Sequence, residues 1–106
     1  MKEQTKQRIK QFSIDRDWDK YHNPANLAKT IAIEACELVE CFQWDDDKYK
    51  IEKVKAELAD VLINCQNLLD KLNLDEDEIV NQKMDENENK YPVEKIKGLN
   101  KKYDEI

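Results

Sequence analysis

The sequence predicts an all-α fold, a bundle of four helices, and three observations carry that prediction. The chain of 106 residues holds one Gly and two Pro, too few turn formers for a many-stranded fold. Charged and hydrophobic residues each make up 40% of it, as amphipathic helices with a dry and a wet face require. Apolar residues also recur at helical spacing, most clearly at Ile51, Val54, Leu58, Val61, Leu62, Cys65, Leu68, Leu69 and Leu72.

The first helix is expected over about Lys2 to Asp19, with Ile9, Phe12 and the following Trp18 as apolar anchors, ending near His22-Asn23-Pro24. Asn23 before Pro24 starts the second, because an Asn side chain caps free N–H groups and proline in the first turn gives up no hydrogen bond. That helix is expected to reach about Trp44, with Leu27, Ile31, Leu38 and Phe42 on one side, and the run Asp45, Asp46, Asp47 breaks it. The third, from about Lys48 to Leu72, is long enough to be the spine of the bundle. Asp75 followed by Glu78 resembles a capping box and opens a fourth helix to about Lys90, before Pro92. Residues 1–92 are read as one domain and 93–106 as a charged tail.

Composition excludes several classes. A net charge of −6 opposes general attraction to a nucleic acid polymer or an anionic membrane. An anionic ligand therefore needs a local metal or a local group of lysines. The three cysteines Cys36, Cys41 and Cys65 show no CxxC spacing and cannot all pair within a chain, so a reduced cytoplasmic protein with thiols as small core residues is expected. The N-terminal stretch has charge and no apolar run, and no segment is long enough to span a membrane.

The informative residues are two pairs of acids at i, i+3 spacing, Glu34 with Glu37 and Glu57 with Asp60, each pair on one side of its helix. Packed together, the two helices would bring four carboxylates to one spot. Such a cluster repels itself unless a cation sits in it, and oxygen ligands suit a hard ion such as Mg²⁺. In a chain with 24 acids solvated pairs at this spacing are common, but Glu34 falls among Leu27, Ile31 and Leu38, inside an apolar stripe. A carboxylate there is costly unless it is paired, protonated or metal-bound. On the fourth helix Lys83, Asn87 and Lys90 share a face at i, i+4 and i+7 and offer donors to phosphate oxygens, although a lysine-rich face is more often simply solvated. Trp18 and Trp44 each stand next to a helix break, where an indole stacks on a base or packs in the core. His22, the only histidine, reads first as a loop-fixing residue.

Three blocks in order, Arg16 to Trp44, Glu57 to Leu62 and Lys83 to Lys95, carry Arg-Asp-Trp, His-Asn-Pro, ExxE followed by Phe-Gln-Trp, ExxD and a Lys-Tyr-Pro ending. Together they resemble the MazG-like all-α nucleoside triphosphate pyrophosphohydrolases, in particular the short single-domain branch that includes dCTP pyrophosphatases. The resemblance implies a four-helix MazG-like bundle and cleavage between the α- and β-phosphates of a nucleoside triphosphate, to the monophosphate and pyrophosphate. It implies Glu34, Glu37, Glu57 and Asp60 as Mg²⁺ ligands and catalytic carboxylates, with Glu37 or Glu34 as the base. Trp18 and Trp44 would enclose the base, with His22 beside them, and Lys83, Asn87, Lys90 and Tyr91 would serve the phosphate and sugar side. Two departures concern the nucleoside end. Some dCTP-preferring relatives have a His where Ile9 aligns and an aromatic where Asn64 stands, so Asn64 is a candidate for a base edge or a ribose. The resemblance further implies a homodimer or homotetramer, and the lysines around Gly98 would close over bound triphosphate.

Three other readings compete. A house-cleaning pyrophosphohydrolase for modified nucleotides fits the same residues. A di-iron bundle needs two E-x-x-H motifs, which a single histidine denies. A non-catalytic helical dimerisation module leaves Glu34 unexplained.

Overall fold

The computed structural model describes residues 1–98 and is all-helical over them, with no strand. It divides into two compact units, the first over Met1–Asn73 and the second from Leu74 onward. The first holds α1 (Glu3–Asp15), a single 3-10 turn (Asp19–Tyr21), α2 (Pro24–Glu40) and α3 (Ile51–Leu72). The second holds α4 (Glu76–Lys90) and a four-residue α5 (Val93–Ile96) that the sequence does not predict. Of the lysines around Gly98 expected to close over bound triphosphate, Lys101 and Lys102 lie outside the described residues.

Two of the helix starts follow directly from local chemistry. Asn23 Oδ1 accepts from the Asn26 N–H at 2.8 Å with Pro24 in the first turn, and Asp75 Oδ2 accepts from the Glu78 N–H at 3.0 Å, so each cap satisfies a donor the helix cannot.

The helix ends differ from expectation. α1 stops at Asp15, four residues short of Asp19, because Asp17 takes a left-handed conformation (φ 56°). The Trp18 N–H then donates to Ser13 O and the Asp17 N–H to Ile14 O, which closes the helix in a Schellman motif without glycine. α2 stops at Glu40 rather than Trp44. The N–H groups of Cys41, Phe42 and Gln43 turn to carbonyls three residues back, and Asp45 Oδ1 accepts from the N–H groups of Asp47 and Lys48, which fixes the loop instead of extending the helix. α3 ends at a left-handed Asn73 (φ 54°).

In the first unit α2 packs along α3, while α1 makes a smaller contact with α3. Among the described residues Leu27 on α2 is the one fully enclosed large side chain, at 1% exposure, and truncating it to Ala would cost about 2–5 kcal/mol. Leu69 on α3 is buried beside it in rank. Ser13, not the expected Phe12, is the buried residue of α1. Phe12 and Trp18 remain about half exposed and meet edge to face at 5.6 Å. Much of the predicted α3 stripe is also open to solvent, including Ile51, Leu58, Leu62 and Leu72. Of the thiols, Cys36 is exposed rather than in the core, Cys41 and Cys65 are half-buried, and all three are free. No helix among the described residues is long and apolar enough to cross a membrane.

Candidate functional site

The chain reverses between α2 and α3, and the two helices meet where both carry acids. Glu34, Glu37 and Glu57 are all half-buried, and each offers a carboxylate oxygen within 4.8 Å of the others. Glu34 lies one turn from Ile31 and Leu38, as the stripe predicts, and its Oε2 is buried without a hydrogen-bond partner. Glu57 Oε2 is in the same condition. Two orphaned carboxylate oxygens facing a third acid form an arrangement that costs free energy as it stands.

The electrostatics agree. Glu37 is pushed above the ordinary carboxylate range, first by Glu34, to which a protonated carboxyl could hydrogen-bond and whose charge opposes its ionisation. Glu57 is pushed up first by burial, then by Glu37, to which its protonated form could hydrogen-bond, and by the charges of Glu37 and Asp60, with Lys53 pulling the other way. Carboxylates this close oppose one another's ionisation, which is the direction in which Glu37 and Glu57 move. A divalent cation removes that conflict: the donors are all oxygens, and the orphaned oxygens become ligands. The residues present therefore fit a metal.

Asp60 is the one predicted ligand outside the group. It is exposed, its backbone O accepts from Asn64 Nδ2 at 2.9 Å, and it lines a cavity with Arg8, Ile9, Phe12 and Ile63 on the α1 side of α3.

Beside Glu34 opens a cavity of about 560 Å³. Trp18, His22 and Asn64 line it, so three residues singled out in the sequence share a wall with the carboxylate cluster. His22 also ends the 3-10 turn, its N–H donating to Asp19 O at 3.0 Å. The same cavity brings in Tyr21, Asn26, Lys29 and Thr30, which sequence reasoning missed. A signal existed: Asn26, Thr30 and Glu34 follow one another at i, i+4 along α2, and the Thr30 hydroxyl donates to Asn26 O at 2.9 Å. Trp44 lies in the loop after α2 at 89% exposure, and no described cavity includes it.

In the second unit Lys83 and Asn87 lie on α4 with Lys90 as its last residue, and Tyr91 follows. Lys83 Nζ is paired with Glu86 Oε2 at 2.8 Å, which holds the ammonium above and the carboxyl below their ordinary ranges. Asn87 is half-buried, and its carbonyl accepts from the Tyr91 N–H at 2.8 Å.

Helices and carboxylates together define an all-helical protein over the described residues, with an acid centre made by the ExxE pair of α2 and Glu57 of α3. The chain belongs to the MazG-like family, which matches residues 29–106. It is 33% identical over 105 residues to dCTP pyrophosphatase 1 of Mus musculus, an alignment covering 91% of this chain and 62% of that protein. Identity to dCTP pyrophosphatase 1 of Homo sapiens is 32% over the same proportions. The chain thus spans about three-fifths of the length of these curated relatives, at 62%. Among solved structures, a pyrophosphatase from Archaeoglobus fulgidus has a similar fold, with a TM-score of 0.76 and 39% identity over 85% of this chain and 91% of that one.

Proposed function

We propose that this chain is a Mg²⁺-dependent nucleoside triphosphate pyrophosphohydrolase, cleaving a deoxynucleoside triphosphate, with dCTP among the better substrates, to the monophosphate and pyrophosphate. The observation that carries the reading is the pair of buried, unpartnered oxygens, Glu34 Oε2 and Glu57 Oε2, in a family whose relatives named above are pyrophosphatases.

Glu34, Glu37 and Glu57 would hold the metal, and Asp60, whose charge already acts on Glu57, would complete the set. Bound there, Mg²⁺ supplies charge neutralisation for the triphosphate and Lewis acidity at the α-phosphorus. Glu37 or Glu34 is assigned to accept a proton from the attacking water, each being a carboxylate beside the metal position. The cavity of Trp18, His22 and Asn64 would receive the nucleoside, with the Asn64 amide on a base edge or sugar hydroxyl. Lys83, Asn87, Lys90 and Tyr91 are assigned to the phosphates and sugar by the family pattern, and Lys83 would exchange Glu86 for a phosphate oxygen. Trp44 would cover the base.

A second copy of the chain is the proposed partner. Few apolar side chains of the first unit are buried, while Ile33, Val39, Leu58 and Leu62 on α2 and α3 lie open, and a chain of 106 residues gains stability by covering such a face. A pure monomer in light scattering at micromolar concentration would overturn this assembly.

The function is tested by resolving the products of dCTP with Mg²⁺, beside a Glu37→Gln control and a panel of ribonucleotides. Monophosphate with pyrophosphate, lost in the variant, supports the reading. No turnover of any common triphosphate, together with no Mg²⁺-dependent stabilisation, returns the chain to a non-catalytic helical module.

A further inference from the structure

A second concavity lies on the other side of the carboxylates from the nucleoside cavity. It measures about 200 Å³ and is formed where α2 ends and α3 begins, with Glu40 and Cys41 on one side and Lys48, Tyr49, Lys50 and Lys53 on the other. It is smaller than the pockets that take drug-sized ligands, and the size suits a compact anion. Three lysines and one glutamate line it, in a chain whose net charge is −6. The aspartates of the preceding loop are not on its wall. Among the described residues Lys48, Lys50 and Lys53 form no ion pair, whereas the next lysine of α3, Lys55, is paired with Glu52 at 3.2 Å.

Its position is set by helical register. Glu40 is one turn beyond Glu37 on α2, and Lys53 one turn before Glu57 on α3. Each acts on the metal-type cluster, since the Glu40 charge helps to raise Glu37 and the Lys53 charge favours ionised Glu57. Along the antiparallel pair the order is therefore nucleoside cavity at Thr30 and Asn64, carboxylates at Glu34, Glu37 and Glu57, then lysines. From Asn64 to Lys53 the rise is about 16 Å, a span over which an extended chain of phosphates can pass the metal.

We propose that the lysine-walled cavity at the α2–α3 turn is the site for the terminal phosphates of the triphosphate, and hence for the pyrophosphate that leaves. This rests on reading the carboxylates as a phosphohydrolase centre. The lysines act as point charges on the β- and γ-phosphate oxygens, with the Tyr49 hydroxyl as an added donor. When water attacks the α-phosphorus and the bond to the bridging oxygen breaks, its electron pair stays on the pyrophosphate, and the lysines meet that developing charge. The arrangement also gives direction: a triphosphate reversed end for end would set its base against ammonium groups.

The test is calorimetric titration of the full chain with inorganic pyrophosphate in EDTA at low salt, so that neither metal nor turnover is needed. Wild type is compared with Lys50→Gln/Lys53→Gln, with Lys50→Arg/Lys53→Arg, and with Lys55→Gln as a control for net charge, each checked for helix content by circular dichroism. The expected result is binding that weakens about tenfold or more in the glutamine pair, recovers in the arginine pair and is unaltered by Lys55→Gln. Equal affinity in wild type and a folded glutamine pair, or no pyrophosphate binding by wild type, overturns the proposal. Turnover of dCTP is measured separately: its absence removes the functional reading, while the titration still decides whether the cavity takes pyrophosphate.

Discussion

Glu34 with Glu37 on α2 and Glu57 with Asp60 on α3 have the same spacing, yet the structure treats the pairs differently. Both members of the α2 pair enter the cluster, whereas only Glu57 of the α3 pair does. Residues three apart on a helix stand about 60° apart around its axis. Where the contact seam runs decides whether both face the neighbouring helix or one flanks it. On α2 the seam passes between Glu34 and Glu37, both half-buried with Ile31 and Leu38. On α3 it follows Val54, Glu57, Val61 and Cys65, all half-buried, and Asp60 falls to the exposed side. Spacing alone therefore nominates a pair, and burial selects its members.

The largest effect that would break this distinction is on turnover. Glu57→Gln replaces a buried carboxylate oxygen of the proposed metal site and is expected to lower kcat/KM on the order of 10³-fold, the size of losing several kcal/mol of metal-borne charge stabilisation. Asp60→Asn is expected to act chiefly on affinity, raising the Mg²⁺ needed for half-maximal activity by about 10–100-fold while saturating Mg²⁺ restores most of the rate. Equal and unrescued losses in the two variants would show that the flanking acid is as much a ligand as the buried one.

Next in size is an effect of pH on the metal-free protein. The carboxyls of Glu37 and Glu57 are raised above their ordinary value of 4.5, so the folded state binds their protons more tightly than the unfolded chain. Their stabilisation is complete below the ordinary carboxylate range and is lost as pH rises through the raised values. In EDTA, Tm measured from pH 4 to 8 should therefore fall in wild type relative to Glu37→Gln, which removes a charge from the cluster. Mg²⁺ should reverse the order near neutrality by ligating the ionised wild-type site. A wild-type and variant difference that does not change with pH would mean that the carboxyls of Glu37 and Glu57 are not raised in the folded protein.

The parts of the molecule legible in the sequence are those set by near neighbours. The starts of α2 and α4 follow from Asn23 and Asp75, whose caps reach only three residues onward. Glu34 was legible because an acid on an apolar stripe conflicts with its own helix, whatever the helix packs against. The ends of α1 and α2 were not, since Asp17 adopts a left-handed turn usually given to glycine and the Asp45 turn forms only after α2 has already stopped. Tyr21, Lys29 and Thr30 join the cavity beside Glu34 through the fold of the 3-10 turn against α2. Lys48, Lys50 and Lys53 have no helical period because two of them precede α3, and only the reversal of the chain sets them opposite Glu40.

The smallest expected effects concern the tryptophans, which repeat the contrast between equal sequence signals and unequal surroundings. Both follow a helix end, yet Trp18 lines the cavity beside Glu34 and meets Phe12 edge to face at 5.6 Å, while Trp44 is 89% exposed. Trp44→Ala should leave stability within about 0.5 kcal/mol of wild type, as for a surface position without packed neighbours. Trp18→Ala gives up an aromatic pair of about 0.5–1.5 kcal/mol, at the lower end because both rings are half exposed. Denaturant midpoints measured at the same protein concentration separate the two. A marked loss for Trp44→Ala that grows on dilution would place its indole in a contact between two copies of the chain, and a loss independent of concentration would mean that the loop after α2 packs more closely than its exposure allows.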